Sequence, residues 1–271
     1  MDLHTIETYL RPTALDQITT WQPGWAWLAG GTWMFSEPRP QTHTLVDLHG
    51  LGWSEFKITS DGLTIGATCI MSRLLQETYP ASWTGIVALQ QAVRELASFK
   101  VQNVATIAGN LCLAIPAGTF APAMVALDAQ YQIISLDGSA RTVPAVQFQT
   151  GLRQTILQPG EVLRQIWVPA ANLEWQVSYK RLCLASAGLA LTIVVAAYHP
   201  ATDRVRFGIS GCVTVPRLIE FFSIPTSEQL TQALDRHLPL AEVINDAQGS
   251  APYRRHLTQV LMQRSLQAVI H

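Results

Sequence analysis

Charge is scarce in this 271-residue chain: Asp, Glu, Lys and Arg make up 14% of it, against about 25% in an average soluble domain. The 18 Lys and Arg nearly balance the 19 Asp and Glu, for a formal net charge of −1. The basic residues are scattered, so no field exists to hold a nucleic-acid backbone. Long apolar runs are missing as well. The longest, AGLALTIVVAAY at 187–198, falls short of the roughly 20 residues that cross a bilayer and reads as a buried strand. The opening MDLHTIETYL lacks the basic start and apolar core of an export signal, which makes the cytoplasm the expected compartment.

Cysteine is sparse too. Cys69, Cys112, Cys183 and Cys212 stand far apart with no CxxC pair, and no His lies at metal-ligand spacing to any of them. Spacing of that kind builds neither an iron–sulfur nor a zinc site within the chain. Any redox chemistry therefore needs an organic cofactor. Hydrolytic signatures are absent: no Ser sits in a GxSxG elbow, and Asp47, Asp128 and Glu161 stand singly in turns or at strand ends, where carboxylates are usually solvated. The GxGxxG and Walker patterns are also missing, which argues against Rossmann and Walker-type nucleotide sites.

What remains is apolar and rich in tryptophan, with 48% hydrophobic residues and 8 Trp. The length allows a real core, in two domains or one elaborate domain. So little charge beside so many indoles implies apolar surface covered by partner chains.

The pattern predicts a short helix over 14–22, strands at 25–29 and 42–48, and a βαβ-like unit of about 55 residues. A strand follows at 62–67, then a helix at 71–77 with Ser72 as N-cap. Over 83–97, Ile86, Leu89, Val93 and Leu96 share one helical face. Strands are expected at 131–136, 143–148 and 162–169, then at 177–182, 189–198 and 204–211, with helices at 227–238 and 252–269 closing the chain. Strands followed by helices make an α+β segment, and a domain boundary is placed near 170–175. This gives an N-terminal part at 1–172, with subdomains of about 1–55 and 56–172, and a C-terminal domain at 173–271.

The run ATIAGNLCLAIPAGTFAPAMVALDA (105–129) is uncharged up to Asp128, yet Gly, Asn, Thr and Pro interrupt it repeatedly. Its ATIAGN, like LAGGTW at 28–33, sets small residues where a strand is expected to end. Glycine lets backbone N–H groups converge on an anion, and Thr and Asn add side-chain hydrogen bonds. A pyrophosphate is the guest such turns suit.

These two turns, with APAMVALDA (121–129), FQTGLRQTILQPGEVLRQIWVP (148–169), YKR (179–181) with ASAGLALTIVVAAY (185–198), and YRRHLTQVLMQRSLQAV (253–269), run through nearly the whole chain. In that order they resemble the FAD-binding subunit of the molybdenum hydroxylases, the xanthine dehydrogenase and carbon monoxide dehydrogenase group. The resemblance implies an α+β fold: two N-terminal α/β subdomains binding FAD (a PCMH-type fold) and a C-terminal antiparallel sheet with helices. It implies a flavoprotein oxidoreductase subunit that passes electrons from a partner's iron–sulfur clusters through non-covalent FAD to an external acceptor, beside a molybdopterin subunit. The FAD-binding residues it implies are Leu28, Ala29, Gly30, Gly31, Thr32 and Trp33 in the first turn. The second contributes Ala105, Thr106, Gly109 and Asn110, with Thr119, Val162, Leu163 and Lys180 beyond it. No catalytic side chain and no metal ligand is implied.

The chain departs from the family at Gln102, where an arginine is common, at Ala108, where a glycine usually sits, and at Thr119, where an aspartate normally stands. These departures leave a second possibility, a non-catalytic assembly subunit that no longer binds FAD tightly. A stand-alone oxidase of the vanillyl-alcohol-oxidase type lacks an evident substrate-binding domain and a His placed to bond the flavin.

Overall fold

The computed structural model describes residues 4–96, 98–185 and 188–270. The first sheet is parallel, with β1 (Thr8–Leu10), β2 (Trp25–Leu28) and β3 (Thr44–Asp47) in the order β1-β3-β2. Every residue of β3 is buried, as its central place demands. The short β1, whose first two residues are exposed, has no apolar alternation to announce it. The expected helix over 14–22 reduces to a single 3₁₀ turn, Leu15–Gln17. Thr19 and Thr20 are poor helix formers, and Pro23 leaves too few residues to repay nucleation. Trp21 instead packs on Trp25 and Trp27, with ring centroids 5.8 and 4.5 Å apart.

The second sheet is antiparallel. Its strands β4 (Phe56–Thr59), β5 (Gly62–Gly66), β6 (Gln130–Ile134) and β7 (Ala140–Pro144) precede a two-stranded hairpin of β8 (Gln149–Gly151) and β9 (Gln154–Thr155) and the long β10 (Val162–Pro169). The order is β4-β5-β10-β6-β7. One face buries Leu63, Ile65, Tyr131, Ile133, Ile166 and Val168 against helices. The expected strand over 143–148 ends at Pro144. The chain continues as a helical turn, Ala145–Phe148, because Pro144 presets the turn and Phe148 is buried edge-on to Tyr131, 5.1 Å away.

Helices α1 (Arg73–Gln76), α2 (Ile86–Arg94), α3 (Phe99–Gln102), α4 (Ile107–Leu113) and α5 (Phe120–Ala126) lie between β5 and β6. Ser72 holds the N-cap position of α1, but its hydroxyl makes no cap bond. The α2 face runs as expected, with Ile86, Leu89 and Val93 buried. The interrupted run at 105–129 is two short helices. Thr106 caps α4 by accepting the Gly109 N–H at 3.0 Å, and the left-handed Ala114 (φ +47°) ends it. All seven residues of α5 are buried.

A further helical turn, α6, is Ala145–Phe148, and α7 (Ala170–Leu173) links β10 to the last sheet. There β11 (Gln176–Cys183), β12 (Ala190–His199), β13 (Arg204–Ser210) and β14 (Arg217–Phe221) form an antiparallel meander. The strand β12 is covered on both sides, which explains its unbroken apolar run. Val195 and Ala197 join the core around α5, while Val194 and Ala196 pack under α8 (Ser227–His237) and α9 (Ala251–Ile270). At Gly208 the sheet packs directly on the backbone of α5, where a Cβ would overlap the Pro122 carbonyl. Among the described residues no helix is long and apolar enough to cross a membrane.

Candidate cofactor-binding site

Both glycine-bearing segments reach the same place. After β2 the chain turns through Ala29, Gly30 and Gly31, with Gly31 at φ +68°, a conformation that favours glycine. Gly30 packs on the backbone of the second segment: a Cβ there would overlap the Val104 carbonyl oxygen and stand 2.8 Å from the Ala105 Cα. The two stretches thus meet backbone to backbone at the edge of one cavity of about 480 Å³. Its walls are completed by the start of β10, by Arg181 of β11 and by Gly188 and Leu189 of the connection that leads into β12.

The cavity gathers Leu28, Ala29, Gly30, Gly31, Thr32, Trp33, Ala105, Thr106, Gly109, Asn110, Thr119, Val162 and Leu163. Lys180 is not among them. It pairs in register with Val194, which belongs to the core beneath α8 and α9, so strand alternation turns Lys180 away from the cavity. Its neighbour Arg181 takes the inward place. Arg39, Met34, Glu95, Cys112 and Leu189 also line the cavity and were not foreseen. Met34, Arg39 and Leu189 come from loops, Glu95 from the C-cap of α2 and Cys112 from α4, positions that no local pattern marks as part of a site.

The second segment does not end a strand as expected: it follows α3 and opens α4. Its Gly109 N–H is already taken by the Thr106 hydroxyl, so the opening of α4 is held by its own cap. A Cβ on Gly109 would meet that hydroxyl at 2.8 Å. Gln102 serves the scaffold, donating to the carbonyls of Val93 and Leu96 at 3.0 Å each and so closing the end of α2.

The polar chemistry is unfinished. Trp33 Nε1, Asn110 Oδ1, Thr119 Oγ1, Arg39 Nε and Arg181 Nε are all buried without a hydrogen-bond partner. Each belongs to a residue lining the cavity. Buried polar atoms are nearly always paired, so this concentration marks where a polar ligand is received. The titratable groups are otherwise settled. Glu161 is held below the usual carboxylate range by hydrogen bonds from Arg141, 2.7 Å away, and Glu95 pairs with Arg181 at 3.1 Å. Burial pushes the Cys112 thiol up to about 12, which keeps it protonated. No acid–base pair is poised here. Among the described residues no group of His, Cys, Asp and Glu could hold a metal ion. The arrangement can seat a ligand with an apolar body and hydrogen-bonding, anionic parts.

Comparison with known proteins agrees with that chemistry. Residues 4–171 match the family described as the FAD binding domain in molybdopterin dehydrogenase. The chain is 26% identical over 169 residues to xanthine dehydrogenase of Oryza sativa subsp. japonica, a match covering 57% of this chain and 12% of that protein. It therefore spans about a tenth of the length of the xanthine dehydrogenases it matches. With the glyceraldehyde dehydrogenase medium chain of Sulfolobus acidocaldarius it shares 26% identity over 235 residues, covering 83% of this chain and 82% of the relative. A solved structure of carbon monoxide dehydrogenase from Hydrogenophaga pseudoflava, described as lacking the Mo-pyranopterin moiety of its molybdenum cofactor, includes a chain of the same fold. There the TM-score is 0.81 at 20% identity, with 97% of each chain covered. The chain belongs to the family of FAD-binding domains of molybdopterin dehydrogenases.

Proposed function

We propose that this chain is the FAD-carrying, electron-transferring subunit of a cytoplasmic molybdenum hydroxylase-type dehydrogenase. In this reading an iron–sulfur subunit delivers electrons, a molybdopterin subunit is their source, and an external acceptor takes them. The observation that carries the reading is the single cavity in which two glycine-bearing turns meet beside five unpaired polar atoms. Those residues fit FAD. Gly30 and Gly31 line the cavity with bare backbone, which suits a diphosphate, the donors Trp33 and Arg39 suit its oxygens, and Val162, Leu163 and Leu189 offer apolar walls for rings. FAD, when bound, supplies a carrier that accepts and releases electrons.

The chain's own part is to bind, orient and shield that carrier. A flavin site needs no titrating side chain, which suits a cavity whose carboxylates are paired and whose thiol stays protonated. The same facts support non-covalent attachment, since no His lines the cavity among the described residues and a protonated thiol is a poor nucleophile. The residues of the two turns, with Thr119, Val162 and Leu163, are the proposed binding set. The division of the chain into an FAD-binding part at 1–172 and a C-terminal part at 173–271 is part of the proposal.

The test is purification with flavin analysis. The chain should carry about one FAD, acid precipitation should release all its colour, and it should co-purify with iron–sulfur and molybdopterin chains when they are co-expressed. A folded chain that takes up no FAD would instead support the assembly subunit. Colour kept in the acid pellet would overturn non-covalent binding.

A further inference from the structure

Between Gly31 and β3 the chain forms a loop without a strand or a long helix. Phe35 N–H donates to the Gly31 carbonyl at 2.9 Å and Ser36 N–H to that of Trp33 at 3.0 Å, which bends the loop back over the cavity. Two of its residues, Trp33 and Arg39, line that cavity, and each brings a buried nitrogen with no partner, Nε1 and Nε respectively. Both groups can only donate. The ligand part they suit is an acceptor, and for a guanidinium an anion.

Outside the cavity the same loop is fastened. Arg153, at the tip of the β8–β9 hairpin, places its guanidinium 5.6 Å above the Trp33 ring and sets two nitrogens on the Glu37 carboxylate, at 3.2 Å each. The hairpin tip is built for this reach. Arg153 holds a left-handed φ of +55°, rare for a residue with a side chain, and its N–H donates to the Ala114 carbonyl at 2.9 Å. Glu37 is hydrogen-bonded twice by Arg153 and stands 3.8 Å from Arg39, within ion-pair range but outside hydrogen-bonding distance. Arg181, across the cavity, is neutralised by Glu95 at 3.1 Å. Arg39 is therefore the lining cation whose acid is already committed elsewhere, among the described residues.

We infer that Trp33 and Arg39 hold the phosphate groups of the bound dinucleotide, and that the Glu37–Arg153 ion pair is a clasp that keeps their loop closed over it. The inference rests on the FAD reading above. The diphosphate is the anionic part of FAD, and a guanidinium beside an indole N–H completes what a glycine turn supplies with its backbone. For the cofactor to leave, the loop must swing away. Breaking the clasp should therefore act on the rate of release and leave the rate of capture nearly untouched.

The experiment uses the full chain stripped of flavin, titrated with FAD and, separately, with ADP as a diphosphate probe lacking the flavin. Far-UV circular dichroism and the apoprotein's melting temperature serve as folding controls. Arg39→Gln should weaken both FAD and ADP at least tenfold, and Arg39→Lys should recover part of the loss. Glu37→Gln and Arg153→Gln should each speed FAD release at least fivefold at an unchanged association rate. The charge-swapped pair Glu37→Arg with Arg153→Glu should return release toward the wild-type rate. Wild-type affinity for FAD and ADP in folded Arg39→Gln, or wild-type release in both clasp variants, overturns the inference while leaving the FAD reading intact. A wild-type chain that takes up no FAD removes both.

Discussion

Gly30 lies flat against the backbone of Val104, so close that a Cβ would overlap the Val104 carbonyl oxygen. This contact joins two segments far apart in sequence and gives the cavity its edge. Gly30→Ala should force the turns apart, an overpacking cost of about 3 kcal/mol, and lower both the melting temperature and the flavin content. A variant that melts like wild type and keeps its FAD would show that the two turns do not depend on this approach.

Thr119 offers a test in which stability and binding move in opposite directions. Its residue is buried, with a relative exposure of 4%, and its hydroxyl has no partner, a cost of about 1–3 kcal/mol in a protein without ligand. Thr119→Val keeps the shape and removes that cost. The apoprotein should gain about 1 kcal/mol, read as a higher melting temperature, while FAD affinity falls severalfold because an acceptor or donor to the ligand is lost. Equal affinity would place the hydroxyl outside the ligand's reach.

How much of this was legible in the sequence depended on whether the signal was local. The two glycine turns stood out as candidates, but glycine beside Thr or Asn usually just makes a turn, and only the ordered landmarks of the resemblance singled them out; β12 could be read because the eight apolar or small residues from Ala190 to Ala197 need cover on both sides. The split of 105–129 into α4 and α5 was hidden, since each helix is only seven residues long, too short to show a period, and α5 is buried all round, which erases its amphipathic stripe. The choice between Lys180 and Arg181 was a question of strand phase. A shift of one residue exchanges the faces, and the neighbour that fixes the phase, Val194, lies on another strand. Arg39 and Arg153 owe their roles to a contact across the chain that no spacing announces.

Acid should loosen the C-terminal sheet through Arg254. Its side chain is buried, accepted by the carbonyls of Leu191 at 3.0 Å and Gly211 at 3.3 Å, and paired with Asp246 at 2.7 and 2.9 Å. The Arg254 guanidinium holds the Asp246 carboxyl below its ordinary value of 3.8, so the folded state binds that proton more weakly than the unfolded chain does. The stabilisation is complete above about pH 4 and is lost as the pH falls through the lower folded value. Asp246→Asn should cost about 1–2 kcal/mol at neutral pH, discounted for the exposure of the aspartate, and should flatten the stability-versus-pH curve below pH 4. An unchanged acid slope in denaturant titrations would mean that other carboxylates govern it.

Gly109 separates binding from folding most sharply. It stands at the third position of α4, with its N–H bonded to the Thr106 hydroxyl, and it is exposed toward the cavity it lines. A Cβ would meet that hydroxyl at 2.8 Å, so Gly109→Val disturbs one cap, a loss of about 1 kcal/mol, and sends two methyl groups toward the ligand's space. The chain should fold, by far-UV circular dichroism, and hold no FAD after desalting. Gly151→Val is the control, because there the nearest atom is the mobile end of the Gln154 side chain, at 2.7 Å, and flavin occupancy should stay near wild type. Ala108→Gly should leave occupancy equal or higher while costing up to about 1 kcal/mol of helix stability. Full occupancy in folded Gly109→Val protein would move the cofactor away from the start of α4, and with it the role assigned to residues 105–110.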